Sequence, residues 1–183
     1  MILTGLLTAF IIVNINLVSQ ALNNCSEPAR SRTVILTQKQ GVIMMKDQNC
    51  GYCMRNELLE QFGIYICDLS VSSLILFKEQ SHPGRCIVAY KDHVSEIVNI
   101  SDEERDAFFA DVARAARAIH AAFHPDKVNY GAYGDTGCHL HMHLVPKYKD
   151  GYEWGGVFEM NPGKTYLKSE EYDEMIRKIK AEL

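Results

Sequence analysis

No dense block of lysine or arginine occurs in this 183-residue chain, whose formal charge is −4. That argues against a general nucleic-acid or membrane-surface binder. It leaves room for a small anionic ligand held by backbone amides and histidine. Internal repeats are also absent. The first basic residue is Arg30, so the apolar stretch Met1 to Val18 lacks the positive start of a signal peptide. Ser19-Gln20-Ala21 would still serve as a small-residue cleavage site. Asn14 and Asn16 interrupt the apolar run, which is short for a membrane span. The reading adopted is that translation starts at Met44 or Met45. Residues 1–44 are then an apolar segment and linker, and residues 45–183 the working domain. A hydrophobic fraction of 47% is ample for that domain to bury a core.

Six cysteines are present: Cys25, Cys50, Cys53, Cys67, Cys86 and Cys138. An even count permits a disulfide framework, but a chain this long and apolar needs no stapling. Cys67 and Cys86 lie in apolar, strand-like runs, where a reduced thiol packs as a small hydrophobe. A reducing compartment and a cytoplasmic location are expected. Export or membrane anchoring is the alternative if residues 1–21 act as a signal.

Residues 22 to 42 have the look of a linker, with Val34-Ile35-Leu36 a short strand inside it. Cys50 to Cys53 form a tight turn into a helix from Met54 to Phe62, ended by Gly63. Apolar strands follow at Ile64 to Leu69, Ser73 to Phe77 and Cys86 to Tyr90; His82-Pro83-Gly84 turns the last two into an antiparallel pair. Ser101 with Glu104 is a capping box opening the longest helix, which runs to Phe123 and is stopped by Pro125. Phe108, Val112, Ala115, Ile119 and Phe123 share one face. Strands at Val128 to Tyr133 and His139 to Val145 flank a glycine-rich connection (Gly131, Gly134, Gly137). A last helix spans Glu170 to Ala181, capped by Ser169. The expected class is α+β, an antiparallel sheet with a long helix and a C-terminal helix packed on it.

Chemistry concentrates in His139-Leu140-His141-Met142-His143-Leu144. On a strand, period two places three imidazoles on one face and three apolar side chains on the other. Imidazole serves as proton carrier, nucleophile or metal ligand near neutral pH. Three of the seven histidines fall within five residues, which marks an active-site strand rather than a chance polar face.

Cys50 and Cys53 form a lone C-x-x-C. A redox role wants a thioredoxin-like βαβ context, which is missing. A zinc role needs two further ligands, and with no second C-x-x-C they must be histidines. The candidates are His82, His93, His120, His124 and one histidine of the triplet. His120 and His124 read as solvated helix residues and His82 as a turn residue. His93 directly follows a strand.

The triplet matches the histidine triad pattern, and the chain resembles the histidine triad (HIT) superfamily of nucleotide hydrolases and transferases. The resemblance extends to Pro83 through His93 and to Asn129-Tyr130-Gly131, covering about Asn49 to Lys147. It implies a HIT-like fold, a homodimer, and a structural zinc. Zinc-containing members and the related galactose-1-phosphate uridylyltransferases use a C-x-x-C, the histidine after the strand and the first triad histidine. Here these are Cys50, Cys53, His93 and His139. The resemblance further implies that His141 is the nucleophile and that His143 contacts a non-bridging phosphate oxygen or the leaving group. Asn129, Thr136 and Gly137 are the implied phosphate contacts, and Glu79 is the nearest match to the family's ribose-binding acid. Arg85 stands where many members carry a histidine. Trp154, in a glycine-rich loop, stacks either on a base or on the sheet or a partner subunit.

The implied activity is hydrolysis at the α-phosphate of a nucleotide conjugate, of phosphoramidate or dinucleoside polyphosphate type, through a nucleotidyl-histidine. Nucleotide is the expected partner, with no nucleic acid and no membrane for the HIT domain. The alternatives are a nucleotidyltransferase, a non-catalytic nucleotide-binding adaptor, and a catalytic metal held by the triad itself.

Overall fold

The computed structural model describes residues 34–39 and 42–183, with side chains from Lys46 onward. Two strands, β1 (Val34–Lys39) and β2 (Val42–Asp47), pair antiparallel as a separate hairpin. Strand β1 contains the short strand expected at Val34 to Leu36 and carries it on to Lys39, and the boundary drawn between residues 44 and 45 falls inside β2. The remaining statements about residues 1–33 concern positions outside those described.

The main sheet has five strands in the order β3-β4-β5-β7-β6, every neighbour antiparallel. They are β3 (Gly63–Asp68), β4 (Ser72–Phe77), β5 (Cys86–Tyr90), β6 (Lys127–Gly131) and β7 (His141–Lys147). Alternation along the strands types the two faces. Leu74, Leu76, Cys86, Val88 and Leu144 point into one core, which α3 (Asp102–Phe123) and α4 (Ser169–Ala181) cover. Phe108, Ala115 and Ile119 of α3 are fully buried there. The opposite face carries Ile75, Phe77, Ile87 and Ala89 and packs on Leu59.

Local signals account for α3. Ser101 Oγ accepts the Glu104 amide and the Glu104 carboxylate accepts the Ser101 amide, a reciprocal cap. The helix also braces the sheet through Asp111, which is buried. Its carboxylate accepts the Ser70 and Val71 amides and the Ser72 hydroxyl at 3.1, 2.8 and 2.7 Å. The cap of α4 is Lys168 rather than Ser169, with the Lys168 amide donating to Glu171.

The expected helix from Met54 to Phe62 is two single turns, α1 (Gly51–Met54) and α2 (Glu57–Glu60). Arg55 takes a left-handed conformation at φ 50° and ends the first; Asn56 caps the second through its side chain. Cys50, Cys53, Cys67 and Cys86 are free thiols, whereas Cys138 is disulfide-bonded, which a wholly reduced set of cysteines did not foresee. Among the described residues no helix is long and apolar enough to cross a membrane.

Candidate active site and metal centre

Strand β7 begins at His141, so the first histidine of the triplet lies just outside the strand. That displacement separates two sites. His139 turns toward the C-x-x-C, while His141 and His143 stay on the sheet face with Ile87 and Ala89.

At the first site Cys50, Cys53, His93 and His139 present four ligand atoms, all within 4.8 Å of one another. His139 Nδ1 lies 3.5 Å from both sulfurs and His93 Nδ1 lies 3.4 Å from Cys53 Sγ. A tetrahedral ion with arms of about 2.0 to 2.3 Å has N–S edges of about 3.5 Å, so the spacing fits zinc. The outer ring nitrogens fit as well. His139 Nε2 donates to the Tyr90 carbonyl at 2.8 Å, which fixes the tautomer leaving Nδ1 free as a ligand. His93 Nε2 is 3.6 Å from the buried Asp47 carboxylate. Hydrogen bonding between the two thiols holds Cys50 below its usual range and pushes Cys53 up, so the pair shares one thiolate. Of the histidines considered, His120 and His124 are exposed on or beside α3. His82 is no exposed turn residue: it is buried and its Nε2 meets Glu153 Oε2 at 3.0 Å.

At the second site His141 Nδ1 is 2.6 Å from the His139 carbonyl. A carbonyl only accepts, so the proton sits on Nδ1 and Nε2 keeps its lone pair. Burial lowers the His141 pKa, and burial, His141 and Arg85 together lower that of His143 to about 3. Both rings are therefore neutral at neutral pH. Tyr52, inside the C-x-x-C, stacks on His141 with ring centres 5.0 Å apart and also touches His139, joining the two sites. A Cβ on Gly137 would stand 3.6 Å from the His141 ring, so the glycine-rich connection comes against that ring. Thr136 is exposed in that connection.

Asn129 pairs with Val145, one level along the same face from His143. With Lys127, Lys147, Trp154, Gly155 and Gly156 it lines a cavity of about 300 Å³. Trp154 is thus placed over a cavity on the triad face. Glu79 is buried, and its Oε1 accepts Ser81 and the Lys164 and Thr165 amides. It anchors the strap of residues 150–168, and no hydrogen bond takes it to His141 or His143. That strap places Phe158 beside His143 at 6.4 Å between ring centres and hangs Glu153 between His82 and Lys147. Gly131 has no room for a side chain, since a Cβ would meet Tyr133 at 2.5 Å and Phe158 at 3.0 Å.

Sequence reasoning did not reach Tyr52, Tyr133, Phe158 or the His82–Glu153 pair. Tyr52 carried a signal, its place between two cysteines. The strap residues carried none, because their partners are remote in sequence and their backbone is irregular.

The family model for the HIT domain matches residues 63–150. The Protein hit of Bacillus subtilis (strain 168) is 31% identical over 81 residues, 42% of this chain and 56% of that protein. The chain therefore spans a little over half the length of that curated relative. A histidine triad protein from Sinorhizobium meliloti 1021 superposes with a TM-score of 0.65 at 21% identity, covering 70% of this chain and 95% of that one. A zinc-bound histidine triad family protein from Mycobacterium smegmatis gives a TM-score of 0.50 at 21% identity, over 66% and 83% of the two chains. Residues 63–150 thus match the HIT domain, and the chain has a HIT-like α+β fold. Proteins with this domain are in general nucleotide-binding hydrolases and transferases.

Proposed function

We propose that the protein is a nucleotide hydrolase acting at the α-phosphate of a nucleotide conjugate through a nucleotidyl-histidine intermediate. The observation that carries this reading is the contact of His141 Nδ1 with the His139 carbonyl, which leaves Nε2 as a free, buried nucleophile. Nε2 attacks the α-phosphorus; an N–P bond forms and the bond to the leaving group breaks. Water then cleaves the N–P bond, releases the nucleoside monophosphate and restores His141. Splitting the displacement lowers each barrier. Burial keeps His143 neutral, so it contacts the transferring phosphoryl group or the leaving group without adding charge. Asn129, Thr136 and the amides around Gly137 offer donors to the phosphate oxygens.

Cys50, Cys53, His93 and His139 would hold zinc. With four protein ligands a bound ion would supply rigidity rather than chemistry, and His139 would hold its carbonyl where it orients His141. The zinc bound by the Mycobacterium smegmatis protein supports this assignment. Metal analysis of the purified protein is expected to give one zinc per chain; two would favour a second ion held by the triad.

The test is turnover of adenosine and guanosine phosphoramidates and dinucleoside polyphosphates by wild type and His141→Ala, with product analysis. Hydrolysis to the monophosphate by wild type alone is expected. Product only in the presence of a phosphorylated acceptor would make the protein a transferase. Nucleotide binding without turnover would make it an adaptor.

A further inference from the structure

We propose that Arg85 is the specificity-determining residue for the leaving group, and that it selects conjugates whose leaving group is itself a phosphate, such as dinucleoside polyphosphates, over those with a neutral amine. The proposal rests on the hydrolase reading above and adds the substrate class.

Register places Arg85 on the reaction path. His143 pairs with Ile87 on one side and with Gly131 on the other. Two residues further along β7 is Val145, which pairs with Asn129. Arg85, two residues before Ile87, lies at that level. Lys147 and Lys127 face each other at the next level. A group leaving the α-phosphate at His141 and passing His143 therefore meets Arg85 and Asn129, then two lysines and the 300 Å³ cavity they line.

The guanidinium is built for an acceptor that the described residues do not provide. Arg85 is fully buried, yet among the described residues Nε and Nη1 have no hydrogen-bond partner. Nη2 meets the Met160 sulfur at 3.2 Å and His143 Nδ1 at 3.5 Å. A thioether is a weak acceptor. Burial lowers the Arg85 pKa only to about 10, so the group stays charged. Glu79 and Glu153 act on it as countercharges, but neither forms an ion pair or hydrogen bond with it. A buried cation with unsatisfied donors is costly unless an anion joins it. Its Cζ lies over the Phe77 and Phe158 rings, at 4.2 and 5.3 Å to the ring centres. Neither ring offers an oxygen acceptor to the N–H bonds, which point outward along the guanidinium edges. Phosphate oxygens match this fork; an amine, itself a donor, does not. As the Pα–O bond breaks, the electron pair stays on the leaving phosphate oxygen, where Arg85 meets the new charge and no acid is required.

The test compares kcat/KM for a dinucleoside polyphosphate and a phosphoramidate with a neutral amine leaving group, using the base that wild type accepts. Wild type, Arg85→Met and Arg85→Lys are assayed together, with thermal melting to confirm folding. Arg85→Met is expected to lose about 100-fold on the polyphosphate and under about threefold on the phosphoramidate. Arg85→Lys, which keeps charge but not the fork, should fall between. An equal loss on both substrates, or on neither, overturns the proposal. If wild type turns over only the phosphoramidate, this inference fails and the hydrolase reading stands. Turnover of neither conjugate sinks both.

Discussion

His139 and His141 are two residues apart, and their surroundings are opposite in kind. Around His139 the ring nitrogens are both engaged, and the sulfurs, His93 and Asp47 close the set. Around His143 and Arg85 donors are left over, with two guanidinium nitrogens buried and unmatched among the described residues. The first arrangement is what a structural centre needs, since a fully satisfied network rigidifies its neighbours. The second carries an energetic cost that a bound anion would relieve. Tyr52, stacked on His141 and tilted against His139, makes the two regions neighbours in one wall. The difference teaches that one histidine-rich stretch can divide its labour where the strand begins.

The comparison can be broken most sharply at His141. His141→Ala is expected to lower turnover by at least about 1,000-fold with little change in thermal stability. Removing a ligand from the other region should do the reverse first. Cys53→Ala should release zinc and cost at least about 5 kcal/mol, read as the shift of a denaturant midpoint with metal content measured alongside. An unchanged midpoint would remove the structural role from the cluster.

A control away from both regions is Asp111, whose carboxylate holds three donors of the β3–β4 turn. Asp111→Ala is expected to cost about 3 kcal/mol, on the order of 10 °C in Tm, with kcat near wild type. The smallest effect is that of pH. Burial lowers the pKa of His82, against the opposing pull of Glu153, and takes His143 to about 3. The unfolded chain then binds protons first as pH falls below about 6.5, so stability is complete above that pH and declines beneath it. The His143 share should be on the order of 1 kcal/mol by pH 5.5. Urea midpoints at pH 7.5 and 5.5 read it, and His143→Gln should flatten part of the slope. A midpoint that holds between the two values would contradict the burial argument.

Much of this was legible in local chemistry. Helix α3 runs from Asp102 to Phe123 as expected, because its cap and its proline stop are adjacent signals. Strand β5 likewise falls at Cys86 to Tyr90. Cys50, Cys53, His93 and His139 do meet, and that grouping came from the resemblance together with ligand arithmetic. What stayed hidden depends on distant partners. The break at Arg55 needs a left-handed residue, and its neighbouring apolar spacing suits one helix as well as two. Strand β7 starts only at His141, and His139 before it meets the cysteines, partners far away in sequence. Glu79 was read as a sugar contact, yet it holds a strap 85 residues away in sequence. Phe158 and Met160 gave no periodic signal, although they cover Arg85.

The central claim is covalent, and the most direct measurement is the intact mass of the protein quenched during turnover of the conjugate it hydrolyses. The account predicts a transient species heavier by one nucleotidyl group, mapped to His141 and absent from His141→Ala. Full turnover with no such species at any quench time, or the same adduct in the His141→Ala protein, would contradict it.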